Sequence, residues 1–212
     1  MLDRIRARSL SVALGSRFSR GCLEQSVSRA PREMTASVVP AQEIVLRNGL
    51  TVSVRQVTRD DEAAICEFLT ALSIDSRRLR FFSAATDLRA QAHLGAAGDD
   101  ADHHGVLAVV PGRGVVGHAT YVRVPHSERA EVAVEVADDL HHLGLATLLV
   151  IRLAEFAEHR EITCFFAELL PENHDMLAVF RDGFAAVSVN SRGVIEVEFP
   201  TSSWRTAHAR FR

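Results

Sequence analysis

The stretch that decides the fold runs from residue 129 to residue 184, RAEVAVEVADDLHHLGLATLLVIRLAEFAEHREITCFFAELLPENHDMLAVFRDGF. In its first part Val132, Val134 and Val136 alternate with Glu131 and Glu135, which is the two-residue period of a β-strand. One face of this strand is therefore apolar, and the other carries two carboxylates.

A turn and a helix follow this strand. The alternation stops at Asp138-Asp139, and large apolar residues then recur at helical spacing after Gly144, namely Leu145, Leu148, Leu149, Leu153 and Phe156. A strand that runs through a glycine-bearing turn into a helix leaves free backbone N–H groups at the start of the helix. Such groups suit a phosphate.

The same periods extend the pattern to both sides. Downstream, we expect a strand over 162–169, a helix opened by Asn173 and ended by a C′ glycine at Gly183, and a last strand pair over 185–199. Upstream, a helix begins at Thr58, with Asp61 completing a capping box. Further expected elements are a strand over 45–57 with a turn at 48–49, a short helix over 87–97, and a hairpin of strands 106–110 and 115–124.

This order mixes an antiparallel meander with parallel crossover units. It predicts an α+β fold in three layers, with a mixed and mostly antiparallel central sheet flanked by helices. We expect a single domain over 41–200, preceded by an extension at 1–40 and followed by a C-terminal tail at 201–212 without a motif.

The composition is that of an ordinary globular protein, with 47% hydrophobic and 24% charged residues. The net charge of −3 indicates no nucleic-acid partner, and no apolar run approaches the roughly 20 residues of a membrane span. All 24 basic residues are arginine, which excludes a catalytic lysine and self-acetylation on lysine. Oligomeric state is not indicated.

Residues 1–40 differ from the rest because they hold seven arginines against three acidic residues. This pattern is compatible with a transit peptide, with a disordered extension, or with translation that starts at Met34. Without this segment the chain keeps 17 arginines and 24 acidic residues.

The cysteines and histidines indicate neither a disulfide framework nor a metal site. Cys22, Cys66 and Cys164 are odd in number and far apart, which favours a reducing compartment and a cytoplasmic location. Residues 98–104 cluster acids and histidines, but no spacing there matches a known ligand pattern, so no metal is expected.

The 129–184 stretch resembles the core of the GNAT acetyltransferases, and its flanks resemble the GNAT domain of bacterial protein-lysine acetyltransferases. That family holds the pyrophosphate of acetyl-CoA on a Q/R-x-x-G-x-G/A turn. Here the turn reads His141-His142-Leu143-Gly144-Leu145-Ala146, so a histidine replaces the usual Gln or Arg and a leucine replaces a frequent Arg. The resemblance covers roughly 45–200 and implies the GNAT fold.

The resemblance also implies how acetyl-CoA is bound as cosubstrate. The backbone of residues 142–147, which include Thr147, would face the pyrophosphate, and either His141 or His142 would contact it or belong to an ordinary turn. The pantetheine arm would pair with the backbone of Glu135 and Val136. Asn173 would contact CoA, although it is also a good helix N-cap.

For the chemistry, the resemblance makes Glu131 the general base, and a half-buried strand carboxylate with a raised pKa suits that role. The other interpretation is a solvated strand charge. Glu135, about 13 Å further along the strand, is too distant to be its partner. Many GNAT enzymes carry a tyrosine general acid where this chain has Phe180, so no general acid is identified.

The segment Ser76–Phe82 resembles an S-R-x-x-R-F motif that lies next to the acceptor side in the same enzymes. Alternatively, it is a short helix in which Leu79 and Phe82 pack and the arginines are solvated. The resemblance implies an acetyl-CoA-dependent N-acetyltransferase acting on protein lysines. A small-amine acetyltransferase and a non-catalytic acyl-CoA-binding module remain the alternatives.

Overall fold

The computed structural model describes residues 41–97 and 102–210 of the chain. The expectation of an extension at 1–40 lies outside these residues. The strands are β1 Gln42–Val45, β2 Thr51–Gln56, β3 His103–Val110, β4 Gly114–Arg123, β5 Arg129–Val136, β6 Cys164–Leu169, β7 Val187–Ser191 and β8 Val194–Pro200. The helices are α1 Glu62–Ala71, α2 Ile74–Phe81, α3 Leu88–Gly95, α4 Leu145–His159, α5 His174–Ala178 and α6 Trp204–Arg210.

The strands form one eight-stranded sheet in the order β1-β2-β3-β4-β5-β6-β8-β7. Neighbouring strands are antiparallel except β5 and β6, whose parallel pairing joins only Arg129, Ala130 and Glu131 to Cys164, Phe165 and Phe166. Beyond Glu131 the two strands separate. The mixed, mostly antiparallel sheet predicted from the sequence is confirmed, and the first expected strand is a hairpin of β1 and β2.

Helices cover both faces of the sheet, which gives the predicted three layers. A side chain added at Gly117 would meet Leu149 of α4 at 3.0 Å, whereas the next residue, His118, lies against Gly95 of α3. Consecutive strand residues point to opposite faces. The larger core therefore lies under α4, and a smaller one lies under α1 and α3 around residues such as Phe68.

The predicted helix starts are confirmed by their caps. Thr58 and Asp61 form the expected capping box before α1. The Asp87 side chain accepts a hydrogen bond from the backbone of Ala90, and Asn173 accepts one from Met176 at 3.2 Å. Local side chains thus satisfy the orphan N–H groups at these starts.

The end of the helix after Asn173 differs from the prediction. Helix α5 continues into one π-helical turn, Val179–Gly183, and the positive φ of 54° falls on Ala185. Gly183 is therefore not a C′ glycine. A π-helical turn has no characteristic residue pattern, so the sequence alone does not indicate it.

Most of residues 201–210, the described part of the expected C-terminal tail, are helical. Helix α6 packs against α4: the indole of Trp204 donates to Glu158 at 2.9 Å, Arg205 pairs with the same carboxylate, and Ala207 is buried. The segment is too short for its apolar period to be recognised from sequence.

Among the described residues, 41–97 and 102–210, no helix is long and apolar enough to cross a membrane. Within the same ranges, no three His, Cys, Asp or Glu side chains are grouped so that they could hold a metal ion. Residues 98–101 of the acid- and histidine-rich cluster lie outside the described ranges, whereas His104 is buried at the start of β3 and stacks on Phe156.

Candidate active site

A cavity of about 530 Å³ lies where β5 separates from β6. Its walls are the unpaired parts of both strands, α2, the start of α4, and α5 with the π-helical turn. Separation of two parallel strands leaves backbone groups without a ladder partner, so the cavity offers main-chain as well as side-chain contacts.

The structure brings together nearly all the residues singled out from the sequence. Those that line the cavity are Glu131, Glu135, Val136, His141, His142, Gly144, Leu145, Ala146, Thr147 and Asn173. Leu143 does not; it packs against the larger core. The turn therefore contributes to the cavity on both sides of Leu143 and is anchored by it.

The turn before α4 leaves backbone donors available. Gly144 has φ 88°, in the left-handed region that glycine adopts without strain, and His142 before it has φ 61°. No side chain caps the helix, and its first intrahelical bond runs from Leu148 N to Gly144 O at 3.1 Å. The N–H groups of the first turn are thus free for an anion.

The two histidines of the turn occupy different environments. Nε2 of His141 lies 3.1 Å from the carbonyl oxygen of Val136 and must carry the proton of that hydrogen bond. His142 is largely exposed and lies 3.5 Å from Asp175. In this conformation His141 therefore donates a hydrogen bond to the carbonyl of Val136, which the resemblance expects to pair with the pantetheine arm.

Glu131 is a half-buried carboxylate at the last position of β5 that pairs with β6. Burial raises its pKa, the positive charge of Arg80 opposes that shift, and the negative charge of Glu168 adds to it. The pKa of Glu168 is raised too, by burial and by Glu196. A raised pKa makes a carboxylate a better proton acceptor, which suits a general base.

Arg80 of α2 is not solvated, contrary to the second interpretation of its segment. Its Nε lies 3.0 Å from Oε1 of Glu135, whose side chain is only 3% exposed. Phe82, which that interpretation places in the core, is 40% exposed and borders the cavity. The segment faces the cavity because the carboxylate face of β5 draws the guanidinium inward.

No tyrosine hydroxyl reaches the cavity. Phe180 replaces the usual tyrosine; it is buried and lies against Phe199. Tyr121 is fully buried, and its hydroxyl accepts a hydrogen bond from Arg160 at 3.0 Å. The cavity therefore offers no protein acid at the position where many relatives carry one.

Sequence reasoning missed three ionisable groups in or beside the site. Arg80 was named within its motif but given no role, and neither Glu168 nor His118 was singled out. The alternation in Ala167-Glu168-Leu169 could have placed Glu168 on the face of β6 that bears the carboxylates. The contact of His118 with Glu135 depends on strand register, which the sequence does not indicate.

Comparison with known proteins identifies the family. The family model for acetyltransferases of the GNAT family matches residues 68–184. The GNAT domain of S. lividans PAT is 30% identical, with a TM-score of 0.69, and the match covers 76% of this chain and 96% of that one. A search of curated proteins found no significant match.

More distant structures share the fold. A cAMP-binding acyltransferase from Mycobacterium smegmatis is 23% identical with a TM-score of 0.54; the match covers 81% of this chain and 54% of that one. A ribosomal-protein-alanine N-acetyltransferase from Brucella melitensis is 20% identical with a TM-score of 0.55, covering 69% and 98%. The chain belongs to the GNAT family of acetyltransferases.

Proposed function

We propose that this chain is an acetyl-CoA-dependent N-acetyltransferase that modifies lysine side chains of proteins, with Glu131 as the general base. The observation that carries the proposal is the shared cavity. It contains a half-buried carboxylate with a raised pKa and, along the same strand and its turn, an uncapped helix start.

The residues of the turn fit the cosubstrate. Acetyl-CoA supplies the acetyl group and a thiolate leaving group. The free N–H groups after Gly144 suit its pyrophosphate, and the small side chain of Ala146 leaves room for the phosphates to approach. Asn173 borders the same cavity while it caps α5, so it is available for a further contact.

The acceptor end of the cavity suits an ammonium group. Glu131 and Glu168 place two carboxylates there, and both have raised pKa values. Glu131 takes the proton from the ammonium, which leaves a neutral amine that can attack a thioester. As the tetrahedral intermediate collapses, the nitrogen loses its second proton to water and the C–S bond breaks; because Phe180 stands where many relatives carry a tyrosine, water also returns a proton to the departing thiolate.

A protein lysine is favoured as acceptor by the likeness to the GNAT domain of S. lividans PAT and by the sequence resemblance to bacterial protein-lysine acetyltransferases. The carboxylates lie at an open cleft bordered by the exposed Phe82, which suits a side chain presented by a larger partner. A cytoplasmic location remains a prediction.

The test is turnover of acetyl-CoA with a thiol reporter, against a panel of proteins, lysine peptides and small amines. The proposal expects transfer to protein or peptide lysine, identified by mass spectrometry. Faster transfer to a free small amine would mean that the acceptor is a small amine and not a protein lysine. Binding of CoA without any transfer would indicate an acyl-CoA-binding module.

A further inference from the structure

Arg80 stands in the electrostatic field of two carboxylates of the same strand. It pairs with Glu135 at 3.0 Å, and its positive charge also acts on Glu131. Both glutamates lie on the face of β5 that is turned towards α2. The guanidinium of Arg80 thus pairs with Glu135 and acts electrostatically on Glu131, the proposed base.

Glu135 anchors Arg80 firmly, because its buried carboxylate has few other partners to compensate its charge. Burial would raise its pKa, but Arg80 and His118 outweigh that effect and hold the pKa below its usual value. Its Oε2 lies 3.7 Å from Nδ1 of His118 and accepts no hydrogen bond from the described residues. Loss of Arg80 would therefore leave a buried charge poorly compensated.

Helix α2 is also fixed from its other end. Asp138, in the turn after β5, accepts hydrogen bonds from the backbone and side chain of Ser73 and from the hydroxyl of Ser76. Ser73 is the N-cap of α2. The helix that carries Arg80 is therefore held at its start by Asp138 and near its end by Glu135, which restrains the arginine.

We propose that Arg80 is a positioning residue for acetyl transfer: anchored by Glu135, its guanidinium keeps Glu131 ionised and disfavours the ammonium form of the acceptor amine. This inference rests on the proposed function. A fixed positive charge beside a desolvated carboxylate favours the carboxylate, and beside an amine it favours the neutral form.

Without Arg80, the remaining influences on Glu131 act against ionisation. Burial and Glu168 of β6 raise its pKa, and Glu196 of β8 lies behind Glu168. Arg129, two residues before Glu131 on β5, is paired with Glu198 at 3.5 Å. Arg80 is thus the cation, among the described residues, whose charge opposes protonation of the base.

The test measures the titration of Glu131 in the full chain by NMR of ¹³C-labelled glutamate carboxyls, with the resonance assigned by its loss in Glu131→Gln. Removing the charge in Arg80→Gln should raise the midpoint of Glu131, because the cation that lowers its pKa is gone. Arg78→Gln is the matched control, since Arg78 lies on the same helix but pairs with the exposed Glu172. It should leave the midpoint in place.

Two more variants keep the test informative if Arg80→Gln does not fold. The double variant Arg80→Gln with Glu135→Gln removes both buried charges, so no unpaired ion remains, and it should raise the midpoint as well. Glu135→Gln alone keeps the cation and should not raise it. An unchanged midpoint in both variants that lack Arg80 would overturn the inference.

The pH dependence of kcat/KM links this result to catalysis. Its acid limb should move to higher pH in Arg80→Gln by the same amount as the NMR midpoint, and Arg80→Lys should restore it in part. A merely structural role would lower the rate at every pH without moving the limb, which would also overturn the inference. Absence of turnover by the unmodified protein would instead refute the proposed function, and the titration would still decide the effect of Arg80.

Discussion

The two ends of the cavity are formed by different chemical groups, backbone groups at one end and charged side chains at the other. The end at the start of α4 is made of consecutive backbone groups between His141 and Thr147, held open by the left-handed conformation of Gly144. The end at Glu131 is made of charged side chains from α2, β5 and β6, which are distant in sequence. A backbone site is changed by altering a conformation, whereas a side-chain site is changed by altering a charge.

This difference separates the expected defects. Changes in the turn should alter the affinity for CoA and leave the pH dependence of the rate alone. Changes at the carboxylate end should alter the rate and its pH dependence and leave CoA affinity nearly intact. A variant with both kinds of defect would mean that the two ends are coupled through β5.

The largest effect is expected for Glu131→Gln, which keeps the shape but cannot accept a proton. General-base catalysis contributes about 10²–10⁴-fold, so kcat should fall at least about tenfold, while CoA affinity stays within about threefold. The wild-type rate should decline as the pH falls through the raised pKa of Glu131, and the variant should lack this limb. Glu43→Gln, an exposed carboxylate on the edge strand β1, is the control.

The stability of the Glu131→Gln variant provides a second test, and the pKa shift fixes the direction of the expected change. Because folding raises the pKa of Glu131, its contribution to stability is present at low pH and is lost as the pH rises through the folded-state pKa. Glu131→Gln should therefore be no less stable than the wild type at neutral pH in thermal unfolding. If kcat of Glu131→Gln equalled that of the wild type, Glu131 would not be the general base but an ordinary charged residue of the strand.

A smaller effect is expected for Gly144→Val, which tests the backbone end. A β-branched residue is strained at φ 88°, and its side chain would intrude where phosphate is expected, so CoA should bind at least about tenfold more weakly, or about 1.4 kcal/mol. Calorimetry measures this loss. Gly112→Val imposes similar strain at φ 77° in the β3–β4 hairpin and should leave CoA affinity unchanged.

The same contrast explains what could be predicted from the sequence. The alternation around Val134, the leucines of α4 and the Asn173 cap are local patterns, and they predicted the elements that carry the backbone end. The ion pair between Arg80 and Glu135 depends on how α2 crosses β5, which no local period encodes. The resemblance indicated Glu131, but its electrostatic neighbours required the fold.

The smallest effect concerns His141, where two expectations conflict. The pantetheine arm was expected to pair with the backbone of Val136, yet Nε2 of His141 already lies 3.1 Å from that carbonyl oxygen. If the ring competes with the arm, His141→Ala should free the carbonyl and tighten CoA binding by about fivefold, since one hydrogen bond contributes about 1 kcal/mol net.

Two ligands separate this competition from a phosphate contact of His141. 3′-Phosphoadenosine 5′-diphosphate carries the phosphates of CoA without the pantetheine arm, so competition predicts that its affinity is unchanged in His141→Ala while that of CoA rises. A phosphate contact predicts that both affinities fall. His142→Ala is the matched control, because that ring is 74% exposed and its described contacts are with Asp175 and with the edge of the His141 ring, not with Val136. Weaker binding of both ligands in His141→Ala would show that the histidine has taken over the role of the usual Gln or Arg, and that the ring leaves Val136 when CoA binds.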